Sequence, residues 1–288
     1  MKTKISALPL ARYLIFGAVF SLCITACFNW SIPTEIHVYS LNDAQKKLAE
    51  YNFGDVGLSP ENPLEVFVKF NIGDLSQPGN NYLRLIEIIG DSGLYVRLEL
   101  TEIKMGGKTV FTSPPLNEAV KGMDKIVHIS IPSVTTSIMS DKNGISPFFF
   151  YENLYSIYSS AFTPKVTVIG DNAFSSCKIK GIGHWLPIKT IGREAFRGCE
   201  NISAMLFTSS LETIGDSAFY DCSALEMVIM KGTPPKLGDS VFLGSTPDTI
   251  TFYIEPEHEV VYRAWLAENA SKFNNNGEDI ILDISGKY

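Results

Sequence analysis

Five cysteines are the residues of this chain best suited to metal or covalent chemistry. Cys177, Cys199 and Cys222 recur at intervals of 22 and 23 residues, so each takes the same place in successive copies of one pattern. Aligned thiols could bind a metal ion, but the C-x-x-C pairs typical of zinc sites are absent. Parallel side chains on adjacent copies are also poorly oriented for a disulfide. We therefore expect three small buried hydrophobic residues and no metal site.

Cys27 follows a segment with the features of a secretory signal. Three basic residues precede an apolar run over 13–24, which is shorter than the ~20 residues that cross a bilayer. The run leads into Ile24-Thr25-Ala26-Cys27, which resembles a bacterial lipobox. The resemblance implies a lipoprotein signal peptide over 1–26, removed after diacylglyceryl transfer to Cys27, and N-acylation of the new terminus. The alternative is an ordinary secretory peptide cleaved near Ala26.

The remaining candidates for chemistry do not form a catalytic pattern. Asp91-Ser92-Gly93 lacks the G-x-S-x-G spacing of a nucleophile elbow. Asp141-Lys142-Asn143-Gly144 does not extend into the full pattern of a calcium loop. The histidines are far apart and none lies in H-E-x-x-H: His37, His128, His184 and His258. We therefore expect a protein that is not an enzyme and uses no cofactor.

The charge of the chain excludes one large class of partner. The formal net charge is −7, and removal of residues 1–26 takes away three positive charges, which leaves −10. An acidic protein lacks the basic surface that nucleic-acid binding requires. No second long apolar run follows, so acyl chains would be the only membrane anchor.

A pattern with a period close to 23 residues dominates the C-terminal half. Its glycines recur at intervals of 22, 23 and 23 residues. A fixed period of this size predicts a solenoid, in which each repeat is one coil stacked on the next. The pattern I-G-x-x-A-F-x-x-C begins at Ile169, Ile191 and Ile214, and a weaker copy begins at Leu237 with Ser245 in the Cys position.

Each repeat continues into a short strand. After Cys199 come Ile202, Met205 and Phe207, and the same offsets of 3, 6 and 8 recur after Cys222. Two apolar residues two positions apart share one face of a strand. The Ala-Phe pair is predicted to form a turn on the opposite wall, with Phe filling the coil. The glycine is predicted to let the backbone turn at a position where a Cβ would clash.

The full spacing resembles the BspA-like leucine-rich repeat family of bacterial surface proteins, most clearly over 166–245. The resemblance implies an α/β solenoid of short parallel strands. Upstream, Phe148 and Tyr151 fit the Phe and Cys positions. Strand centres are predicted at Leu98, Ile129, Ile157, Ile182, Met205, Val228 and Phe252.

The remaining segments are predicted to close the two ends. Strands at 35–39 and 64–72 and helices at 42–51 and 82–89 suggest a β-α-β cap over 27–93. The solenoid then covers 94–256. A helix over 258–273, with Val261, Trp265 and Leu266 inward, and a last strand at 280–284 form a C-terminal cap over 257–288.

The outward positions of the strands are the candidate binding surface. Between two inward residues, the middle side chain points away from the core. The resulting row is rich in aromatic and aliphatic side chains, more than a solvated face requires. The alternatives are that loops cover this row, or that inward and outward positions are exchanged. The candidate site is Tyr158, Trp185, Leu206, Thr208, Ile229, Lys231 and Tyr253.

Two functions follow from these expectations. The first is a lipid-anchored outer-membrane or cell-surface protein that binds a protein partner, with host extracellular matrix as a candidate ligand. Adhesion is the role that the family resemblance implies, although a fold alone does not fix the ligand. The second is a structural or assembly lipoprotein that faces the periplasm.

Overall fold

The computed structural model describes residues 35–52, 54–158, 165–182, 187–244, 249–273 and 280–284. The predicted signal peptide, the predicted lipidation site Cys27, and the residues His184, Trp185 and Ser245 lie outside these ranges.

The first described segment alternates strands and helices: β1 (Glu35–Val38), α1 (Leu41–Ala49), β2 (Leu64–Val68), α2 (Asn81–Ser92) and β3 (Val96–Glu99). Both helices start at the polar residues that cap them. The Ser40 hydroxyl accepts from the Asp43 amide, and the Asn80 side chain accepts from the Leu83 amide. Gly93, with φ of 72°, ends α2. The predicted β-α-β-α-β order is confirmed.

These strands begin a long parallel sheet. In the described residues it has six strands in the order β1-β2-β3-β5-β7-β9, where β5 is Ile126–Ser130, β7 is Ser156–Tyr158 and β9 is Gly181–Ile182. The predicted strand centres Leu98, Ile129, Ile157 and Ile182 pair in register. Because β1 pairs parallel with β2, and β2 pairs parallel with β3, the segment assigned to the cap supplies the first strands of the solenoid sheet.

A second described sheet lies on another wall of the coils. Its strands have two residues each, in the order β14-β12-β10-β8-β6-β4. They are β4 (Val110–Phe111), β6 (Ser137–Ile138), β8 (Val168–Ile169), β10 (Thr190–Ile191), β12 (Thr213–Ile214) and β14 (Lys236–Leu237). The Ile or Leu of the repeated Ile-Gly step therefore lies in a strand, which the sequence pattern did not predict.

A third described sheet continues the strand wall toward the C-terminus. It contains β11 (Ala204–Phe207), β13 (Met227–Met230), β15 (Ile250–Ile254) and β16 (Ile280–Asp283), all parallel and in that order. The predicted centres Met205, Val228 and Phe252 pair in register, which confirms the repeat alignment.

The core is built around a stack of phenylalanine rings. Seven described rings lie nearly parallel, with centroid separations of 5.0–5.4 Å and interplanar angles of 3–13°. All are almost fully buried. Phe148 lies in this stack, as predicted. The rings are Phe111, Phe148, Phe174, Phe196, Phe219, Phe242 and Phe273.

The repeated glycine lies where a Cβ would clash, as predicted, and the clash is with the neighbouring coil. A Cβ at Gly192 would lie 2.6 Å from the Gly170 carbonyl carbon, and a Cβ at Gly215 would lie 2.7 Å from that of Gly192. Successive coils thus approach too closely for any side chain. Positive φ falls instead two residues later, at Asn172, Glu194, Ser217 and Ser240.

The cysteine ladder is buried and free of disulfides, as predicted. The Cys199 thiol donates to the Phe174 carbonyl at 2.9 Å, and the Cys222 thiol donates to the Phe196 carbonyl at 3.1 Å. Burial raises the pKa of Cys177 and Cys222 to about 12. These thiols therefore join successive coils and stay protonated at neutral pH.

The C-terminal helix α3 (Glu259–Glu268) packs on the last strands. Tyr262 and Trp265 are buried, and the Trp265 indole N–H donates to the Pro235 carbonyl at 2.7 Å. Val261 is 48% exposed, so its predicted inward orientation is wrong. Tyr262 takes the inward position that the sequence analysis gave to Val261.

Candidate functional site: the outer face of the strand sheets

The inward and outward positions of the third sheet follow the predicted alternation. Met205, Phe207, Val228 and Met230 are at most 3% exposed and point into the coils. The residues between them point to the opposite side of the sheet. This side forms a surface that we call the apolar face, and it consists of Ala204, Leu206, Met227, Ile229, Thr251, Tyr253 and Ile281.

The centre of the apolar face is a row of paired positions. Leu206 pairs with Ile229, and Ile229 pairs with Tyr253. Leu206 and Tyr253 are half-buried, whereas Ile229 is only 7% exposed. The expectation that Ile229 is exposed is therefore wrong. It lies on an inner strand, about 4.8 Å from the strand on each side, where the paired Leu206 and Tyr253 flank it.

A second row runs parallel to the first. Ala204, Met227, Thr251 and Ile281 occupy paired positions on β11, β13, β15 and β16. Ile281 is 48% exposed. This row was not predicted, although three of its members lie two residues before a predicted site residue. The period of a strand was the signal that could have found them.

Polar side chains follow the apolar face at the ends of its strands. Lys231 is exposed and Thr208 is half-buried. The Lys231 backbone amide donates to the Phe207 carbonyl at 3.0 Å, which holds the end of β13 against β11. Both residues therefore form a polar margin of the apolar face.

Tyr158 lies on the six-stranded sheet, apart from the residues of the apolar face. Its position pairs with Ser130, which in turn pairs with Glu99. The Tyr158 hydroxyl donates to a carboxylate oxygen of Glu99. Ser130 is fully buried beneath these groups. Tyr158 is thus engaged in an internal polar network, and the proposed site divides between two sheets.

The neighbouring row of the six-stranded sheet carries charges that neutralise each other. The Arg97 Nη1 lies 3.3 Å from the Glu65 Oε1. The His128 Nδ1 lies 2.8 Å from the Ser156 hydroxyl oxygen. Burial, reinforced by the Arg97 charge, lowers the pKa of His128 to about 3, so this ring is neutral at physiological pH. Burial also raises the pKa of Glu99.

This polar network lies outside two clefts found among the described residues. These clefts are lined by β1 with α1, and by α2 with the loop over 115–121. Neither includes Glu99, His128 or Tyr158. Among the described residues, no helix is both long enough and apolar enough to cross a membrane.

Comparison with known proteins identifies the repeats. Residues 143–262 match the family model of the BspA type leucine rich repeat region in six copies. No curated protein matches the sequence. A leucine-rich repeat protein from Bacteroides ovatus is 18% identical, with 66% of this chain and 46% of that chain covered and a TM-score of 0.39. This chain thus spans about half the length of that relative (46%).

A leucine-rich repeat protein from T. pallidum is also 18% identical, with 58% of this chain and 86% of that chain covered and a TM-score of 0.28. Six matched copies, parallel strands in every described sheet and the ladders of Phe, Gly and Cys agree on one assignment. Residues 143–262 of this chain match the BspA type leucine-rich repeat family.

Proposed function

We propose that this protein is a lipid-anchored protein of the cell surface that binds a protein partner through the apolar face. Leucine-rich repeats mediate protein–protein interaction in general, and such proteins are typically scaffolds for binding rather than enzymes. The observation that carries the proposal is the in-register apolar row on an otherwise acidic chain. Interfaces concentrate their binding free energy in such aromatic and aliphatic clusters.

Host extracellular matrix is the partner class we propose first. A panel of purified matrix proteins, tested by surface plasmon resonance against a lipid-free Cys27→Ser protein, identifies the ligand.

A periplasm-facing assembly lipoprotein is the second candidate, because a lipid anchor alone does not determine which side of the membrane the protein faces. Protease added to intact cells distinguishes the two: cleavage supports surface display, and protection supports the periplasmic protein.

The apolar face is tested by placing a charge in its centre. We expect Leu206→Glu to weaken binding to the identified partner at least tenfold, about 1.4 kcal/mol, because the interface would have to desolvate a carboxylate. Val260→Glu is the matched control, since Val260 is 79% exposed on α3 and lies outside the face.

Both variants should unfold near the wild-type midpoint, as neither side chain fills the core. Equal affinity of a folded Leu206→Glu variant and the wild type would place the binding surface elsewhere.

Anchoring is tested at Cys27. We expect Cys27→Ser to abolish incorporation of labelled palmitate and to release the protein from membranes, since the acyl chains would contribute ~0.8 kcal/mol of membrane binding for each buried CH₂. Cys23→Ser, within the predicted signal peptide, is the control and should retain the label. Unchanged labelling of the Cys27→Ser protein would rule out the lipoprotein.

A further inference from the structure

Three metal-ligating side chains meet where β15 leads into α3. Glu255, Glu257 and His258 each offer one ligand atom, and these atoms lie within 4.8 Å of one another. The segment Pro256–His258 forms a 3₁₀ turn. Residues three apart lie above one another in such a turn, which brings the Glu255 carboxylate to 3.5 Å from the His258 Nε2.

The Glu255 carboxylate is oriented by a neighbouring strand connection. The Gly232 amide, just after β13, donates to the Glu255 Oε2 at 3.0 Å. The Glu255 and His258 side chains are 33% and 24% exposed, so both are partly shielded from water. A ligand carboxylate fixed by a backbone donor is a feature of built metal sites, because the hydrogen bond pre-orients the oxygen atoms.

A buried hydroxyl beside this group has no hydrogen-bond partner among the described residues. Tyr262 follows His258 by one helical turn, and its side chain is fully buried. Buried hydroxyl groups normally have a partner. A water molecule on a cation held by Glu255 and His258 would supply one.

We propose that Glu255, Glu257 and His258 bind one divalent transition-metal ion. One imidazole and two carboxylates suit Zn²⁺ and similar cations, whereas Mg²⁺ and Ca²⁺ prefer oxygen ligands alone. Bound there, the ion joins the end of β15 to the start of α3 and fastens the C-terminal segment to the solenoid. This role is independent of the partner that the apolar face binds.

Isothermal titration with ZnCl₂ tests the site in the full chain, held in detergent and carrying no histidine tag. We expect one site in the wild type, at least tenfold weaker binding in His258→Ala, and weaker binding in Glu257→Gln, which keeps the shape but loses the charge. His37→Ala is the matched control: His37 pairs with Glu35 at 3.1 Å, but that pair belongs to no described group of three ligands. MgCl₂ should give no binding.

Thermal unfolding by circular dichroism checks that each variant is folded, and ZnCl₂ should raise the wild-type midpoint and leave that of His258→Ala unchanged. Absence of zinc binding in the wild type would overturn the proposal. Equal affinity in wild type and His258→Ala, or equal loss in His37→Ala, would overturn it as well.

Discussion

Phe196→Ala is expected to lower the free energy of unfolding by about 3–5 kcal/mol, the usual cost of emptying a buried aromatic site. Phe196 is fully buried, with its ring 5.0 Å from that of Phe174 and 5.1 Å from that of Phe219. Truncation therefore opens a cavity within the stack and removes two ring contacts. Urea denaturation, followed by circular dichroism, measures the loss.

Two controls separate the stack from a general effect of truncation. Phe149 is 46% exposed, so Phe149→Ala should cost less than about 1 kcal/mol. Lys236→Ala, at an exposed strand position, should change the free energy of unfolding by less than about 0.5 kcal/mol. Similar denaturation midpoints for Phe196→Ala and Phe149→Ala would contradict the continuous stack.

Among the substitutions proposed for this protein, Gly192→Ala is expected to cause the second largest loss of stability, although it adds a single methyl group. Its Cβ would lie 2.6 Å from both the Asp171 amide nitrogen and the Gly170 carbonyl carbon. These are backbone atoms of the previous coil, so relief requires the two coils to separate. We expect a loss of about 1–3 kcal/mol, typical of overpacking, in the same urea experiment.

Gly181→Ala is the matched control for this exchange. Gly181 lies in β9, and among the described residues no atom of a non-adjacent residue lies within 4 Å of the position its Cβ would take. Its φ is not positive. The alanine should therefore be neutral or stabilise by about 0.4–1 kcal/mol through the unfolded state. If both alanine variants unfolded at the wild-type midpoint, close approach of the coils would not be what requires the glycine.

The inward residues could be predicted from the sequence because they obey two periods at once. The spacing of two within a strand and of about 23 between coils assigned Met205, Val228 and Phe252 to one ladder, which the pairing confirms. The same logic recovered Ile129 and Ile157 despite longer connections. Burial of a large apolar side chain is the strongest constraint on such positions.

The second sheet could hardly be predicted from the sequence. Strands of two residues, such as β10 and β12, are too short to show alternation. The Ile-Gly step correctly predicted a glycine whose Cβ would clash. It did not identify the neighbouring coil as the cause, because contacts between coils cannot be inferred from the spacing within one.

The candidate site was predicted in part, and its errors have physical causes. Alternation gives the direction of a side chain but not what shields it, so Ile229 was expected to be exposed. In α3, three consecutive apolar residues, Val260, Val261 and Tyr262, make the inward face ambiguous. A shift of one residue rotates a helix by about 100°, which exchanges Val261 and Tyr262.

Each central coil contributes one ring to the phenylalanine stack, one glycine to the close contact and one thiol to the ladder of hydrogen bonds. A duplicated or deleted gene segment that encodes one whole coil keeps all three series continuous, while a change of a few residues interrupts them together. The length of the molecule is therefore free to change in evolution by complete coils. Each added coil would widen the strand wall by one strand and leave both ends intact.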